Sequence, residues 1–179
     1  QPWALKIIPI RRIIRHNDTE QVRSEISMMI MLKGCRHVMR PVCAFVDAAE
    51  EAVVLVSEWA AGGTLRDHIE RRIRHHSRFA EDQVSGIAGH LLSALLFMHS
   101  HGLVHRDVKP ENVLVTADGV CKLADFGMVA FVTRVDEVFK NGPGSPIFAP
   151  PEYAFREDCD SRFDIWSLGV VLFEVAALR

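Results

Sequence analysis

The sequence feature that most constrains the fold is a β-hairpin signal in the middle of the chain. Two short runs rich in β-branched and apolar residues, 113–116 and 120–124, lie on either side of the turn 117–119, which reads Ala-Asp-Gly. An Asp-Gly pair between two such runs is a strong short-range signal for a hairpin, which returns the chain to its starting point. Asn112, before the first run, and Asp125, just after the second, are therefore predicted to lie side by side.

The residues around this hairpin have the chemistry of a phosphate site. The preceding loop, 105–112, reads H-R-D-V-K-P-E-N and brings a free carboxylate at Asp107 and an ammonium group at Lys109. Asn112 and Asp125 supply oxygen ligands of the kind that Mg²⁺ prefers, and Mg²⁺ usually completes its octahedron with water and substrate phosphates. The sequence therefore predicts a magnesium site, held by Asn112 and Asp125, at which a phosphate compound binds.

These motifs resemble the signature of eukaryotic-type protein kinases, which combines a catalytic loop H-R-D-x-x-x-x-N with a D-F-G triplet. The triplet stands at 125–127, after the loop as the family pattern requires. Lys109, two residues after the loop aspartate, resembles the serine/threonine-directed branch of the family. The resemblance covers nearly every residue and implies an α+β, bilobal protein-kinase-like fold that is incomplete at both ends. It would have a small β-rich lobe with one helix and a larger, mainly helical lobe.

The first third of the chain has the pattern of a small lobe followed by a connection. Apolar residues at helical spacing follow the helix caps at 17–19. The segment 57–63 then shifts to small residues, as expected where two lobes are joined. This interpretation divides the chain into residues 1–60, a partial small lobe with the hinge, and residues 61–179, a partial large lobe. Strands are predicted at 3–8, 42–46 and 53–56.

The second part of the chain is predicted to be mostly helical. The clearest helix runs over 81–100 and is capped by Gly102, and a long apolar helix opens near Asp164. By resemblance, Asp164 accepts backbone hydrogen bonds from the catalytic loop. Between these helices, residues 128–141 lose periodicity and 142–144 break the pattern outright, as in a switching segment. Thr133 in this segment is a candidate phosphorylation site that could order the loop by pairing with Arg106. An unmodified loop threonine is the alternative.

Two residues far apart in the sequence are predicted to form an ion pair. Glu25 lies on the inward apolar stripe of the first predicted helix, where a carboxylate is costly unless it is paired. Lys6, in the first predicted strand, is the nearest upstream candidate. The resemblance independently implies a strand lysine and a helix glutamate at about this separation, which together bind nucleotide phosphates. Without this agreement, Lys6 would be better explained as an edge-strand lysine that points to water.

The resemblance implies an ATP site at the junction of the lobes. In this site Lys6, fixed by Glu25, anchors the α and β phosphates. Ala4 and Leu114 sandwich the adenine ring, and two backbone groups of the hinge hydrogen-bond its edge. The small side chain of Ser57 leaves room at the back of the pocket. The implied ATP-binding residues are Ala4, Lys6, Glu25, the hinge residues Glu58 and Ala60, Leu114 and Asp125.

The resemblance also implies a reaction, the transfer of the γ-phosphoryl group of ATP to a serine or threonine hydroxyl of a protein substrate. The implied catalytic residues are Asp107, which accepts the hydroxyl proton, Lys109, which neutralises charge on the moving group, and Asn112. Asn112 and Asp125 would hold Mg²⁺. The turn at Ser145 resembles the substrate-facing turn of the serine/threonine branch.

The sequence leaves two other functions open. One is a pseudokinase, a scaffolding module or inactive truncated fragment with the same fold; the intact set of polar residues argues against it, and the unseen phosphate-covering loop keeps it open. The other is a metal-dependent hydrolase built on the same carboxylates and nearby histidines. A metal cluster of His99, His101 and His105 matches no motif of known ligand spacing and is not favoured.

Composition narrows the expected partners. The chain of 179 residues is 49% hydrophobic and has a formal net charge of -2, which gives no hint of a nucleic-acid or membrane surface. Its four cysteines show no C-x-x-C spacing, so neither a zinc site nor a disulfide framework is expected. The expected partners are ATP and a protein substrate, with no nucleic acid and no membrane. The expected setting is intracellular, most simply the cytoplasm.

Overall fold

The structure is a computed structural model that describes residues 2–132, 145–155 and 159–178 of the chain. The candidate phosphorylation site Thr133 and most of the predicted switching segment lie outside these ranges. Within them, a small antiparallel sheet with two helices precedes a mostly helical region. This arrangement confirms the predicted α+β fold, although the small lobe was expected to hold a single helix.

The small sheet contains three strands, and the middle one in space is the last in sequence. Strand β3 (Ala52–Glu58) lies between β1 (Trp3–Pro9) and β2 (Pro41–Asp47), and both pairings are antiparallel. Because neighbours cover both of its edges, β3 is the most buried of the three. All three strands were predicted, and β1 ends at the proline as expected. The register places Lys6 opposite Leu55.

Two helices follow β1, and only the second was predicted. Helix α1 (Ile10–His16) starts directly after Pro9, whose φ of -60° and ψ of 131° suit the residue before a helix. It ends at Asn17, which has a left-handed backbone with φ of 54°. Helix α2 (Thr19–Met31) begins at the predicted caps, but the side chain of Asp18 makes no capping hydrogen bond. Glu25 lies on the buried side of α2, as predicted.

Helix α3 (Leu65–Arg74) was also not predicted, because charged residues obscure its pattern. Only Leu65 and Ile69 are buried, one turn apart, and the other positions are exposed or partly exposed. A capping box starts the helix: the Thr64 hydroxyl accepts from the backbone N–H of Asp67 at 3.0 Å, and the Asp67 carboxylate accepts from the backbone N–H of Thr64 at 2.8 Å. The Asp67 carboxylate also accepts from the Thr64 hydroxyl at 2.7 Å, and this bond, with the backbone bond from Thr64, lowers the pKa of Asp67.

The hydrophobic core lies between α4 (Glu81–Ser100) and α6 (Arg162–Ala177), with the single turn α5 (Pro151–Ala154) between them in the sequence. Helix α4 has the predicted bounds, and α6 begins two residues before Asp164. Each large apolar side chain fully buried here contributes about 1.5–3 kcal/mol. Across the described ranges, no helix is both long enough and apolar enough to cross a membrane. The main core residues are Leu91, Leu95 and Met98 of α4 and Leu168, Val171 and Val175 of α6.

Two small strand pairs follow α4 and frame the catalytic loop. Strand β4 (Leu103–Val104) pairs with β7 (Ala130–Phe131), and β5 (Val113–Val115) pairs with β6 (Cys121–Leu123). The turn from α4 into β4 requires glycine. Gly102 has φ of +70°, and a Cβ atom there would collide with the carbonyl oxygen of Val132. The chain can therefore approach this closely only because residue 102 has no side chain.

A short loop from the small sheet is hydrogen-bonded to β6. The N–H of Met39 donates to the carbonyl of Leu123 at 2.9 Å, and the N–H of Leu123 donates to the carbonyl of His37 at 2.8 Å. Val38, between the two, is fully buried. This backbone joint connects the small sheet to the hairpin that carries the predicted site.

Two stacked histidines lie beside the joint. The rings of His37 and His90 have centroids 4.6 Å apart and planes inclined by 18°. The Nδ1 atom of His90 accepts from the backbone N–H of Cys121 at 3.2 Å, so the ring is held as the neutral tautomer protonated on Nε2. Burial, the neighbouring His37 and the positive charge of Arg36 all lower the pKa of His90. Burial also raises the pKa of the Cys121 thiol to about 11.

The histidine stack predicts that acid weakens the fold. Because the pKa of His90 is lower in the folded chain than its ordinary value of 6.5, the unfolded chain binds more protons below that pH. The free energy of unfolding in urea should therefore fall as the pH drops through and below 6.5. His90→Gln keeps an acceptor for the Cys121 N–H but cannot titrate, so its pH dependence should be shallower.

The matched control is His75→Gln, which changes an exposed histidine just after α3. This variant should keep the pH dependence of the unaltered chain. If the free energy of unfolding of His90→Gln depended on pH as steeply as that of the unaltered chain, protonation of His90 would not be the cause of the loss of stability in acid.

Candidate active site

The predicted hairpin is present and carries the site. Strands β5 and β6 are antiparallel with Val113 opposite Leu123, and Gly119 in the turn has φ of +82°. The N–H of Ala124 donates to the carbonyl of Asn112 at 2.9 Å, so the two ends of the hairpin meet. The main chain of Asn112 is therefore bonded to the residue directly before Asp125, as the sequence predicted.

The start of the catalytic loop is held by a buried carboxylate on α6. Asp164 is fully buried, and its two oxygens accept the backbone N–H groups of His105 and Arg106, each at 2.8 Å. The ring of His99 on α4 contacts the same carboxylate at 2.8 Å. The predicted role of Asp164 as an acceptor from the loop is confirmed, and His99 is an additional partner that the sequence did not indicate.

The buried ring of His105 connects the loop to the hairpin. Burial lowers the pKa of His105 despite the neighbouring carboxylates, so the ring is neutral. Its Nε2 atom lies 3.1 Å from the carbonyl of Ala124 and must therefore carry the proton that it donates. Its Nδ1 atom accepts from the backbone N–H of Asp107 at 3.3 Å. One neutral imidazole thus sets the distance between the loop and the end of β6.

Two residues of the site have left-handed backbones. Arg106 has φ of 64° and Asp125 has φ of 61°. A non-glycine residue in this region costs about 1–2 kcal/mol, although aspartate tolerates it better than most. Arg106 is held by its N–H bond to Asp164 and by a 2.6 Å bond from its Nε to the carbonyl of Met128. The left-handed residues therefore lie within the catalytic loop, at Arg106, and just beyond the hairpin, at Asp125; at Arg106 these two bonds maintain the conformation.

The sequence suggested a free carboxylate at Asp107. In the structure this carboxylate instead lies at the centre of a polar cluster. Its Oδ2 atom accepts from Lys109 Nζ at 2.6 Å and from Asn112 Nδ2 at 2.8 Å. Its Oδ1 atom accepts from Ser145 Oγ at 2.8 Å, and Lys109 Nζ also reaches that hydroxyl at 2.9 Å. The bond from Ser145 was missed, and its only sequence signal was the resemblance of that turn to a substrate-facing segment. Asp107 is consequently ordered by three side chains.

Lys6, Glu25 and Asp125 form a second charged cluster. Lys6 Nζ lies 2.6 Å from Glu25 Oε1 and 3.3 Å from Asp125 Oδ1. Burial alone would lower the pKa of Lys6, but the hydrogen bond and charge of Glu25, followed by Asp125, outweigh it and raise that pKa. The structure thus brings the predicted pair together. Lys6 does lie on an edge strand with its side chain 49% exposed, as the alternative had it, but its ammonium group contacts two carboxylates.

A cavity of about 280 Å³ opens at this cluster. Of the predicted ATP-binding residues, Lys6, Glu25, Leu114 and Asp125 line it. The predicted back-of-pocket residue Ser57 lines it too. The remaining lining residues, which the sequence did not indicate, are Met39, Leu55, Ala124 and Phe126.

The other three predicted ATP-binding residues do not line this cavity. Ala4 pairs with Ser57 across the sheet, and Ala60 is buried. The N–H of Glu58 donates to the carbonyl of Arg40 at 3.0 Å, and its carboxylate pairs with Lys122 at 2.5 Å. Ala4 lies opposite the lining residue Ser57 and Glu58 follows Ser57 in the chain, so both lie next to the margin of the cavity.

The residues present fit a magnesium ion. Burial opposes ionisation of Asp125, but the charge and hydrogen bond of Lys6 outweigh it, so the pKa of Asp125 is lowered and its carboxylate faces the cavity charged. Asn112 donates through Nδ2 to the carbonyl and the carboxylate of Asp107, each at 2.8 Å, which leaves its amide oxygen as an acceptor. Asn112 itself is buried and does not line the cavity, but its main chain is bonded to Ala124, next to Asp125. A carboxylate and an amide oxygen match the few protein ligands that Mg²⁺ takes beside phosphates.

The three histidines that were weighed as a metal cluster have separate partners. His99 contacts Asp164, His105 contacts Ala124, and the Nδ1 atom of His101 lies 2.8 Å from the carbonyl of Phe97. No group of three histidine, cysteine, aspartate or glutamate side chains that could hold a metal occurs in the described part of the chain.

Comparison with known proteins identifies the family. The family model described as protein kinase domain matches residues 1–179. The chain is 34% identical over 177 residues to CBL-interacting serine/threonine-protein kinase 9 of Arabidopsis thaliana, which covers 97% of the chain and 38% of that relative. It is 36% identical over 174 residues to calcium-dependent protein kinase 27 of Oryza sativa subsp. japonica, a match that covers 96% of the chain and 27% of that relative. It is 34% identical over 179 residues to serine/threonine-protein kinase 36 of Pongo abelii, a match that covers 98% of the chain and 13% of that relative.

The chain belongs to the protein kinase family, and the resemblance of its motifs is confirmed. Members of this family generally use ATP and Mg²⁺. The chain spans less than two fifths of the length of these curated relatives.

Removing the Asp164 carboxylate is expected to destabilise the fold strongly. Asp164→Ala takes the acceptor from two backbone N–H groups, and each buried donor left without one costs about 1–3 kcal/mol. The free energy of unfolding in urea should therefore fall by about 2–6 kcal/mol. Asp164→Asn keeps one acceptor oxygen and should lose less. The control is Asp82→Ala, at an exposed carboxylate in the first turn of α4; an equal loss in this variant would contradict the role of Asp164.

Proposed function

We propose that the protein is an ATP-dependent serine/threonine protein kinase, which transfers the γ-phosphoryl group of ATP to hydroxyls of protein substrates. The observation that supports this most directly is the contact of Lys6 with both Glu25 and Asp125 at one cavity. A strand lysine and a D-F-G aspartate that face the same space provide a cation for phosphates and a ligand for their metal. The names of the similar proteins support the serine/threonine class.

In this proposal, the charged cluster at the cavity binds the nucleotide. Lys6, oriented by Glu25, donates to oxygens of the α and β phosphates. Leu114, which lines the cavity, and Ala4, near its margin, contact the two faces of the adenine ring. The backbone groups of Glu58 and Ala60 hydrogen-bond the edge of the ring; since the N–H of Glu58 is used by Arg40, its carbonyl is the group that remains for the base.

Asn112 and Asp125 would hold Mg²⁺, which supplies charge neutralisation of the phosphates when it is bound. The protein's own contribution is to fix these two ligands. Asp125 is fixed by Lys6, and Asn112 by its two bonds to Asp107. Since phosphoryl transfer depends mainly on positioning and electrostatic stabilisation, the rigidity of these groups supports the catalytic function.

The polar cluster at Asp107 would carry the transfer step. The substrate hydroxyl oxygen forms a bond to the γ-phosphorus as the bond between that phosphorus and the β–γ bridging oxygen breaks, and ADP leaves. The hydroxyl proton passes to Asp107, whose position is set by Asn112 and Ser145. Lys109, which contacts both Asp107 and Ser145, places a positive charge where the moving group passes.

The division of the chain into lobes and its location in the cell are parts of the same proposal. Residues 1–60 would form a partial small lobe with the hinge and residues 61–179 a partial large lobe, with the nucleotide between them. The need for ATP and the free state of all four cysteines favour an intracellular, cytoplasmic setting.

The test is Asp107→Asn in the full-length protein. Turnover on a serine-containing protein substrate should fall by at least about 100-fold, because proton acceptance is lost. The KM for ATP should change little, because Asp107 does not line the cavity. Asp82→Asn, at an exposed position on α4, is the matched control and should keep full turnover.

Two outcomes would favour the alternatives instead. Nucleotide binding without any phosphoryl transfer by the unaltered protein would indicate a pseudokinase. Release of inorganic phosphate that does not need an acceptor protein would indicate a metal-dependent hydrolase.

The size of residue 57 predicts which inhibitors bind. Ser57 lines the cavity beside Leu55 and Lys6, so an ATP-competitive compound with a bulky group that passes the adenine position should be tolerated. Ser57→Met should fill that space and weaken such a compound by at least about 10-fold, as one or two lost methylene-sized contacts and a clash would do. Ser93→Met, on the exposed side of α4, should leave the inhibition constant unchanged. Equal inhibition of Ser57→Met would mean that Ser57 does not border the bound nucleotide.

A further inference from the structure

One arginine outside the described clusters joins three elements around the catalytic loop. Arg66, in the first turn of α3, contacts two carboxylates at once: its Nε atom lies 2.8 Å from Glu111 Oε1 and its Nη2 atom lies 2.9 Å from Glu174 Oε2. The arginine and Glu174 side chains are only 23% and 16% exposed, so this is not an ordinary surface pair. The planar guanidinium suits such a double contact because its donors have fixed directions.

The two carboxylates belong to parts of the molecule that matter for the site. Glu111 lies in the 3₁₀ turn Pro110–Asn112, directly before Asn112. Glu174 lies on α6, about 15 Å along the axis from Asp164 at 1.5 Å per residue. Helix α6 therefore holds the catalytic loop at both ends. It holds the start directly through Asp164 and the end indirectly through Glu174, Arg66 and Glu111.

We propose that Arg66 is a positioning residue that fixes Asn112 through Glu111, and so sets the geometry of the second metal ligand. This inference rests on the proposed kinase function, in which Asn112 holds Mg²⁺. Among the described residues, Arg66 is the only ion-pair partner of either glutamate. Without it, two carboxylates that now approach one cation would face each other, and their repulsion would move the short turn away from α6.

The shift would reach Asn112 along the main chain, although the side chain of Asn112 is held by two bonds to Asp107 and its carbonyl by the N–H of Ala124. Pro110 has no N–H to donate, and the backbone bond that closes the turn runs from the N–H of Asn112 to the carbonyl of Lys109 at 3.0 Å. The side chain of Glu111 is 45% exposed and fills no core position. Its ion pair with Arg66 is therefore what orients this residue.

Substituting Arg66 in the full-length protein tests this inference. Arg66→Gln should lower kcat and raise the Mg²⁺ concentration at half-maximal activity, each by about 10-fold, as loss of a group supporting a metal ligand does. The KM for ATP should change by less than about twofold, because Arg66 does not line the cavity. Arg66→Lys should be intermediate, because a single ammonium cannot hold both carboxylates in the same geometry. Arg23→Gln, which breaks an exposed pair with Glu20 on α2, is the matched control and should change none of these values.

A second variant separates positioning from a general loss of stability. Glu111→Gln removes a partly exposed carboxylate and should reproduce the Mg²⁺ effect. The double variant Arg66→Gln/Glu111→Gln should need no more Mg²⁺ for half-maximal activity than Arg66→Gln, since both substitutions act through one contact. An unchanged Mg²⁺ requirement in Glu111→Gln, or full additivity in the double variant, would overturn the inference even if Arg66→Gln folds poorly.

Hydrogen exchange gives a readout that does not need activity. In Arg66→Gln, the amides of 107–112 should exchange faster, while those of α4 should exchange at the original rate. If the unaltered protein transfers no phosphate but this local change is found, the positioning role stands and the proposed kinase function fails. If transfer is found but exchange in the loop is unchanged, the positioning role fails and the proposed function stands.

Discussion

The buried carboxylate of Asp164 is the interaction on which the rest of the site depends. It lies in the first turn of α6, inside the main hydrophobic core, and accepts the N–H groups of His105 and Arg106. A buried charge is tolerated only where hydrogen bonds replace its hydration, and the loop backbone supplies them. The core therefore does more than stabilise the fold. It determines where the loop begins, and the left-handed backbone of Arg106 is maintained by the same bonds.

A series of hydrogen bonds and ion pairs connects the start of the loop to the hairpin and then to the small sheet. The neutral ring of His105 spans from the loop to Ala124, and the hairpin places Asp125 directly beyond it. Asp125 then meets Lys6, which Glu25 orients from the small sheet's own helix. The two parts of the molecule thus meet through opposite charges at the cavity and through backbone hydrogen bonds at the joint beside β6. The first contact brings the charged groups of the cavity together, and the second keeps the parts in register.

The sequence predicted those features that have a local or an energetic signature. The hairpin follows from its Asp-Gly turn, and the Lys6–Glu25 pair follows from the cost of an unpaired carboxylate on an inward helix face. It did not predict α3, whose two buried residues are hidden among charges, or α1, which begins directly after a strand-ending proline. The bond from Ser145 to Asp107 joins residues 38 positions apart and leaves no spacing pattern. The identity of Met39 as a cavity residue likewise depends on how the joint folds back on β6.

The left-handed backbone of Asp125 has a wider consequence. At φ of 61° this residue is displaced from the conformation that its own peptide unit prefers, and its salt bridge reaches it from the opposite part of the molecule. If the first strand moved away, Asp125 would lose the ammonium group of Lys6, which contacts its carboxylate at 3.3 Å. The balance of charge at the cavity therefore depends on the small sheet lying against the hairpin.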